Sequence, residues 1–162
     1  MGFNIAGIVI DKSLKNKVKK ISESFDWEME LEGEVTFEEA MENWKEPGYC
    51  DIYFTDKGTL IFVDMETIQG DFKMADANVL SFAISETSMA FYFNLYEGDK
   101  LRRKIMDLDG EIVSEYGEKL EMEEKYEDTE ELIWAMIEKM LGKSFFKIEP
   151  DEIAYRYLLL ND

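Results

Sequence analysis

The chain has 162 residues, with 37 Asp and Glu against 18 Lys and Arg and no histidine, for a formal net charge of −19 at pH 7. That sign argues against nucleic-acid binding and against attachment to anionic membranes, since both depend on Lys and Arg meeting phosphate. Without histidine there is no Ser-His or Cys-His catalysis and no His-containing zinc site, and the single cysteine, Cys50, excludes a thiolate cage and any intrachain disulfide.

Hydrophobic residues make up 46% and aromatic residues 14% of the chain, so a folded core is expected rather than a disordered acidic tail. The length suits one α+β domain over 1–162. A lone cysteine fits a reducing bacterial-type cytoplasm.

The apolar start from Met1 to Ile10 has no Lys or Arg before it and is cut off by Asp11. It reads as a first strand, not as a signal peptide or membrane span. Leu14, Val18, Ile21 and Phe25 recur at helical spacing among five lysines, which predicts a core-packed helix over 13–25 with a solvated basic face. Trp27, Met29 and Leu31 alternate with acids as in a half-buried strand. Thr36 and Glu39 have the capping-box spacing, and Phe37, Ala40, Met41 and Trp44 continue one helical face up to Pro47-Gly48.

Tyr49–Thr55 and Thr59–Val63 predict two strands joined through Asp56-Lys57-Gly58. From Asp64 to Val79 the apolar spacing is helical but broken by Gly70, giving one helix or two short ones. Ser81–Ser85, Met89–Tyr96, Leu101–Leu108 and Glu111–Tyr116 form a β-meander, with Gly98-Asp99 and Asp109-Gly110 at its turns. A two-residue turn at Asp109-Gly110 sets Leu108 against Glu111 and Lys104 against Glu115. Asp128 caps a helix whose stripe is Leu132, Ile133, Met136, Ile137, Met140 and Leu141, ended by Gly142. Ser144–Ile148 reads as a strand, whereas 150–160 suits either a helix opened by Pro150 or a strand.

The expected fold class is therefore α+β: a mainly antiparallel sheet of about five to seven strands around a central meander, with about three to five packed helices.

Three features could carry function. Asp107, Asp109 and Gly110 suggest part of a calcium loop, but its two ends would fall on Ile105 and Tyr116, so a hairpin turn is the better reading. Glu118, Glu121, Glu123, Glu124, Glu127, Asp128, Glu130 and Glu131 form the densest acidic run, either a solvated connector or a surface for basic groups. Arg103 in a strand, beside the Tyr92, Asn94 and Tyr96 face of its neighbour, would make a second binding patch. No P-loop or dinucleotide fingerprint occurs, and no catalytic residue, metal site or cofactor is indicated.

These observations lead to a non-enzymatic module that binds a basic protein, with immunity or antitoxin proteins that neutralise a cationic nuclease as one concrete form. The alternatives are a carboxylate-based enzyme or a small-ligand or divalent-metal sensor, and a structural or oligomeric accessory domain.

Overall fold

The computed structural model describes residues 2–161, so Met1, placed in the expected first strand, lies outside the described residues. The strands are β1 (Asn4–Ile10), β2 (Met29–Thr36), β3 (Tyr49–Phe54), β4 (Thr59–Val63), β5 (Asn78–Ser85), β6 (Ala90–Glu97), β7 (Lys100–Leu108), β8 (Glu111–Tyr116) and β9 (Ile153–Leu159). The helices are α1 (Val18–Phe25), α2 (Phe37–Ala40) and α3 (Thr129–Leu141). All nine strands join one antiparallel sheet in the order β2-β9-β3-β4-β1-β5-β6-β7-β8. The α+β class holds with more strands than expected. The ambiguous 150–160 segment resolves as β9, because β2 on one side and β3 on the other both take up its backbone groups.

β1 lies at the centre, and all seven of its residues are buried. Gly7 is required there: a Cβ would come 2.8 Å from the Phe82 ring and 2.9 Å from the Ile61 carbonyl oxygen. The Phe82 ring therefore packs directly on the β1 backbone.

Strand alternation sends side chains to two cores. On the first face, Val9, Leu60, Phe62, Leu80, Phe82, Phe93 and Ile105 pack under α3, Phe37 of α2 and Phe145. On the second, Ile8, Ile10, Cys50, Ile52, Ile61 and Val79 pack under Ile21 of α1 and under Ile68, Phe72 and Met74 of the 64–77 segment. Burial raises the Cys50 thiol, so it remains an inert core group. The two edge strands are charged. Glu30, Glu32 and Glu34 of β2 are exposed, as is every residue of β8. Charge on an edge discourages pairing with another sheet.

Several local expectations give way to tertiary contacts. α1 begins at Val18 and not near residue 13, because Thr59 Oγ1 donates to the Lys12 carbonyl (2.8 Å) and accepts the Leu14 N–H (3.0 Å), holding 12–14 against β4. The Thr36–Glu39 capping box forms, yet α2 is a single turn. After it, Trp44 adopts a left-handed φ of 53° and Lys45 turns inward to the fully buried Asp51 carboxylate. Asp51 also accepts two hydrogen bonds from Arg156, at 2.8 and 2.9 Å. The requirement to neutralise Asp51 outweighs helix continuation, since an unpaired buried carboxylate costs several kcal/mol (~3–5).

Of the 64–79 stretch, 64–77 is a loop with one 3-10 turn at Thr67–Gln69, and Asn78 and Val79 open β5; Met65, Ile68 and Phe72, which look helical in spacing, are plugs that the loop drops onto the second core. Ser144–Ile148 is likewise a 3-10 turn, Phe145–Lys147, and not a strand. The turn Asp109-Gly110 has both residues at positive φ (53° and 84°), as a tight hairpin needs. Leu108 pairs with Glu111 as expected, but a bulge after Met106 sets Lys104 opposite Tyr116, and Glu115 opposite Ile105. Among the described residues no helix is long and apolar enough to cross a membrane.

Candidate functional site

The acidic run begins where β8 ends and crosses the first face as a strap before becoming α3. Leu120, Met122 and Tyr126 pack onto the first core, leaving Glu121 and Glu124 to face outward. Glu118, Glu121, Glu124, Glu127, Asp128 and Glu131 are exposed, while Glu123 and Glu130 are half-buried.

Glu123 is an anchor. Arg103 points to this first face, away from Tyr92 and Tyr96, and is only 1% exposed, which corrects the expected Arg103–tyrosine patch. Its five guanidinium donors all find acceptors: Glu123 Oε2 at 2.9 Å, Glu123 Oε1 at 2.8 Å, Glu115 Oε2 at 2.9 Å, and the Tyr116 and Gly117 carbonyls at 3.2 and 3.0 Å. Burial raises the Glu123 carboxyl, but Arg103 and the Leu120 N–H outweigh it and hold it below the usual range. Gly117 lets the strap turn at φ 86°, where a Cβ would fall 2.2 Å from the Arg102 carbonyl oxygen. Glu115, Glu123 and Arg103 are thus mutually satisfied.

At the other end of the run the acids have no such partner. Asp128 caps α3 by accepting the Glu130 N–H at 2.9 Å, and Asp107 accepts the Thr129 hydroxyl at 2.7 Å. Asp107 therefore ties the start of α3 to β7, consistent with the hairpin reading over the calcium loop. Along α3, Trp134 stands beside the buried stripe, not in it. It meets Phe3 at 5.1 Å, Phe145 at 4.8 Å and Phe146 at 4.8 Å between ring centroids. Phe146 is 62% exposed.

A shallow cleft of about 260 Å³ opens at this cluster, with Tyr126, Trp134, Phe145 and Phe146 as its aromatic walls and Glu131 and Glu138 at its rim. Neither Glu131 nor Glu138 makes an ion pair among the described residues. The cleft lies below the size usual for small-molecule pockets and suits one side chain. Aromatic faces are electron-rich and, with adjoining carboxylates, attract a cation.

Glu130 lies behind the cleft and accepts the Trp134 indole N–H at 3.2 Å. Burial, then the neighbouring Glu86 carboxyl, push it up to about 7. Glu86 is held low, chiefly by the hydrogen bond from Glu130 and then by the Phe3 N–H at 2.7 Å. Among the described residues no group of three or more Cys, Asp or Glu is placed to hold a metal ion.

The Tyr92–Tyr96 face belongs to the second side of the sheet. Tyr96 is buried beneath the 64–77 segment, with Lys73 Nζ 5.8 Å from its ring, so it offers no open footprint. Tyr92 is half-buried and takes Lys104 Nζ at 5.9 Å, the place expected for Arg103. The structure therefore puts Arg103 and the acidic run on one face, where Arg103, Glu123, Glu124, Glu127 and Asp128 line a cleft of about 670 Å³, and separates both from Tyr92 and Tyr96. Sequence reading missed Trp134, Phe146 and Tyr126. The available signal was Trp134 itself, a large aromatic outside the apolar stripe of its own helix.

In comparisons with known proteins, no family model, no curated protein and no solved structure matches this chain.

Proposed function

We infer that the protein is a non-enzymatic binding module, and that the cleft on α3 receives an arginine or lysine side chain of a basic protein partner. The observation that carries this reading is the meeting of Trp134, Phe146 and Tyr126 with Glu131 and Glu138 in one side-chain-sized cleft. Aromatic residues concentrate binding energy at interfaces, and the surrounding field of a −19 body speeds encounter with a cationic molecule. Glu127, Asp128 and Glu124 extend the same sign along the strap, and the interface of an immunity-type protein with a cationic enzyme is one form that this chemistry would take.

The test is titration of a fluorescent hexa-arginine peptide, followed by anisotropy. Wild-type protein binds with an affinity that falls as salt rises, and Phe146→Ala and Glu131→Gln/Glu138→Gln each weaken binding by about tenfold. Equal affinity for Phe146→Ala and wild type would reduce the interaction to unspecific charge attraction and remove the cleft from the account.

The Glu86–Glu130 pair favours a second reading, a carboxylate-based enzyme, because a half-buried acid with a raised pKa beside a second carboxyl is the arrangement used for proton transfer. Thermal shifts distinguish the two. A stabilising response to divalent ions or small polar substrates that Glu130→Gln removes would support the enzyme, and a response to arginine-rich peptide alone supports the binding module.

A further inference from the structure

The second face of the sheet is covered by α1 and the 64–77 segment as far as β5 and the Tyr96 end of β6, so the rest of β6, with β7 and β8, continues beyond the cover. A second cleft, of about 510 Å³, opens where the cover stops. Its floor follows two cross-strand rows. One is Ala83–Tyr92–Met106–Ser114, set by the pairings Ala83 with Tyr92, Tyr92 with Met106 and Met106 with Ser114. The other begins Ser85–Ala90. The small residues of these rows leave the space, and Met65, Ile68 and Gln69 of the covering segment form the wall.

The charge of this cleft is opposite to that of the rest of the molecule. Of the residues that line it, one is ionised at neutral pH, Lys104, and none is Asp or Glu, in a chain with 37 acids. Lys104 makes no ion pair among the described residues. Its Nζ lies over the Tyr92 ring at the border of the cleft, and its strand neighbours in register are Asn94 and Tyr116. Two acids of the covering segment are hydrogen-bonded within the protein: Asp64 accepts the Glu66 and Thr67 N–H groups at 3.2 and 3.0 Å, and Asp71 is hydrogen-bonded to Tyr96. Methionine side chains at wall and floor, Met65 and Met106, adapt to an apolar guest of irregular shape. The volume falls within the range of small-molecule sites.

The geometry points to a binding site for an apolar molecule carrying one negative charge, with a hydrocarbon body against Met65, Ile68, Ala83 and Met106 and a carboxylate at Lys104. Such a ligand complements a cleft whose lining is apolar and whose one charge is positive. The site is on the face of the sheet opposite α3, so it is independent of the cation-binding reading and would survive its failure.

Decanoate is the probe, at concentrations below micelle formation, with decylammonium and decanol as arms that keep the chain and change the head. Binding is read on protein labelled at the methionine methyls. The expected result is that decanoate shifts the Met65 and Met106 signals in a saturable manner, that decanol does so at least about tenfold more weakly, and that Lys104→Gln removes this preference while decanol still binds. Lys104→Arg, which keeps the charge, retains it. The proposal is overturned if decanoate leaves both methyls unmoved, if Lys104→Gln binds decanoate as wild type does, or if decylammonium shifts the same methyls as strongly as decanoate.

Discussion

At Arg103 two carboxylates and two backbone carbonyls close around one guanidinium, whereas at the cleft on α3 Glu131 and Glu138 stand beside four aromatic residues without an ion-pair partner among the described residues. Both regions lie along one acidic segment. The first converts charge into architecture: Glu123 is spent on holding the strap, so it is not available to a partner. The second leaves its charge at the surface, next to apolar area that water solvates poorly. The lesson is that a run of acids is not one feature. Its members are sorted by what the fold places beneath them: Glu123 meets an internal cation, and Glu131 stands beside aromatic rings with no ion-pair partner among the described residues.

The closed side gives the larger effects. Asp51 repeats the Arg103 arrangement in deeper burial, with Lys45 and Arg156 on one carboxylate. Asp51→Ala leaves two cations against each other and is expected to cost about 3–5 kcal/mol, read as the change in urea-unfolding free energy. Arg103→Gln removes the charge from the strap anchor and is expected to cost about 2–3 kcal/mol, with faster proteolysis within 117–127. A loss of stability below about 0.5 kcal/mol in either variant would mean that these ion clusters are not structural.

The open side gives smaller effects. Glu131→Gln and Glu138→Gln, singly or together, should leave the urea midpoint nearly unchanged, within about 0.5 kcal/mol per residue, because both acids are exposed. Between the two sides lies Glu130. Its folded-state pKa of about 7 is above the ordinary carboxyl value, so between that value and about pH 7 the folded state binds more protons than the unfolded chain. Its contribution to stability is therefore present at low pH and is lost as pH rises through that window. Glu86 acts in the opposite sense, with stability present above the ordinary carboxyl range and lost as pH falls below it. Glu130→Gln should flatten the decline between pH 5 and pH 8, measured as the urea midpoint at each pH. A decline of the same slope in the variant would assign it to other groups.

The sequence shows the meander, the Asp109-Gly110 turn and the capped α3 clearly, because each depends on residues close together in the chain. It misleads wherever a distant partner decides. The helical spacing of Met65, Ile68 and Phe72 reflects a loop packed on a sheet, and Trp44 leaves its helical face because Lys45 must reach Asp51. The site divides in the same way. Glu130 and Glu131 are visible as charge, but that Arg103 turns to Glu123 and away from Tyr92 depends on the strap folding back, and that Phe146 meets Trp134 depends on a 3-10 turn that resembles a strand in sequence.

The most direct measurement uses the three indole N–H signals of Trp27, Trp44 and Trp134 in a ¹⁵N-labelled sample titrated with unlabelled hexa-arginine. Trp44 is exposed and flanked by Glu42 and Glu46, so it reports unspecific attraction. The account predicts a saturable shift of the Trp134 indole with Trp27 and Trp44 nearly still. Equal movement of Trp44 and Trp134, or no movement of Trp134 at saturating peptide, would contradict it.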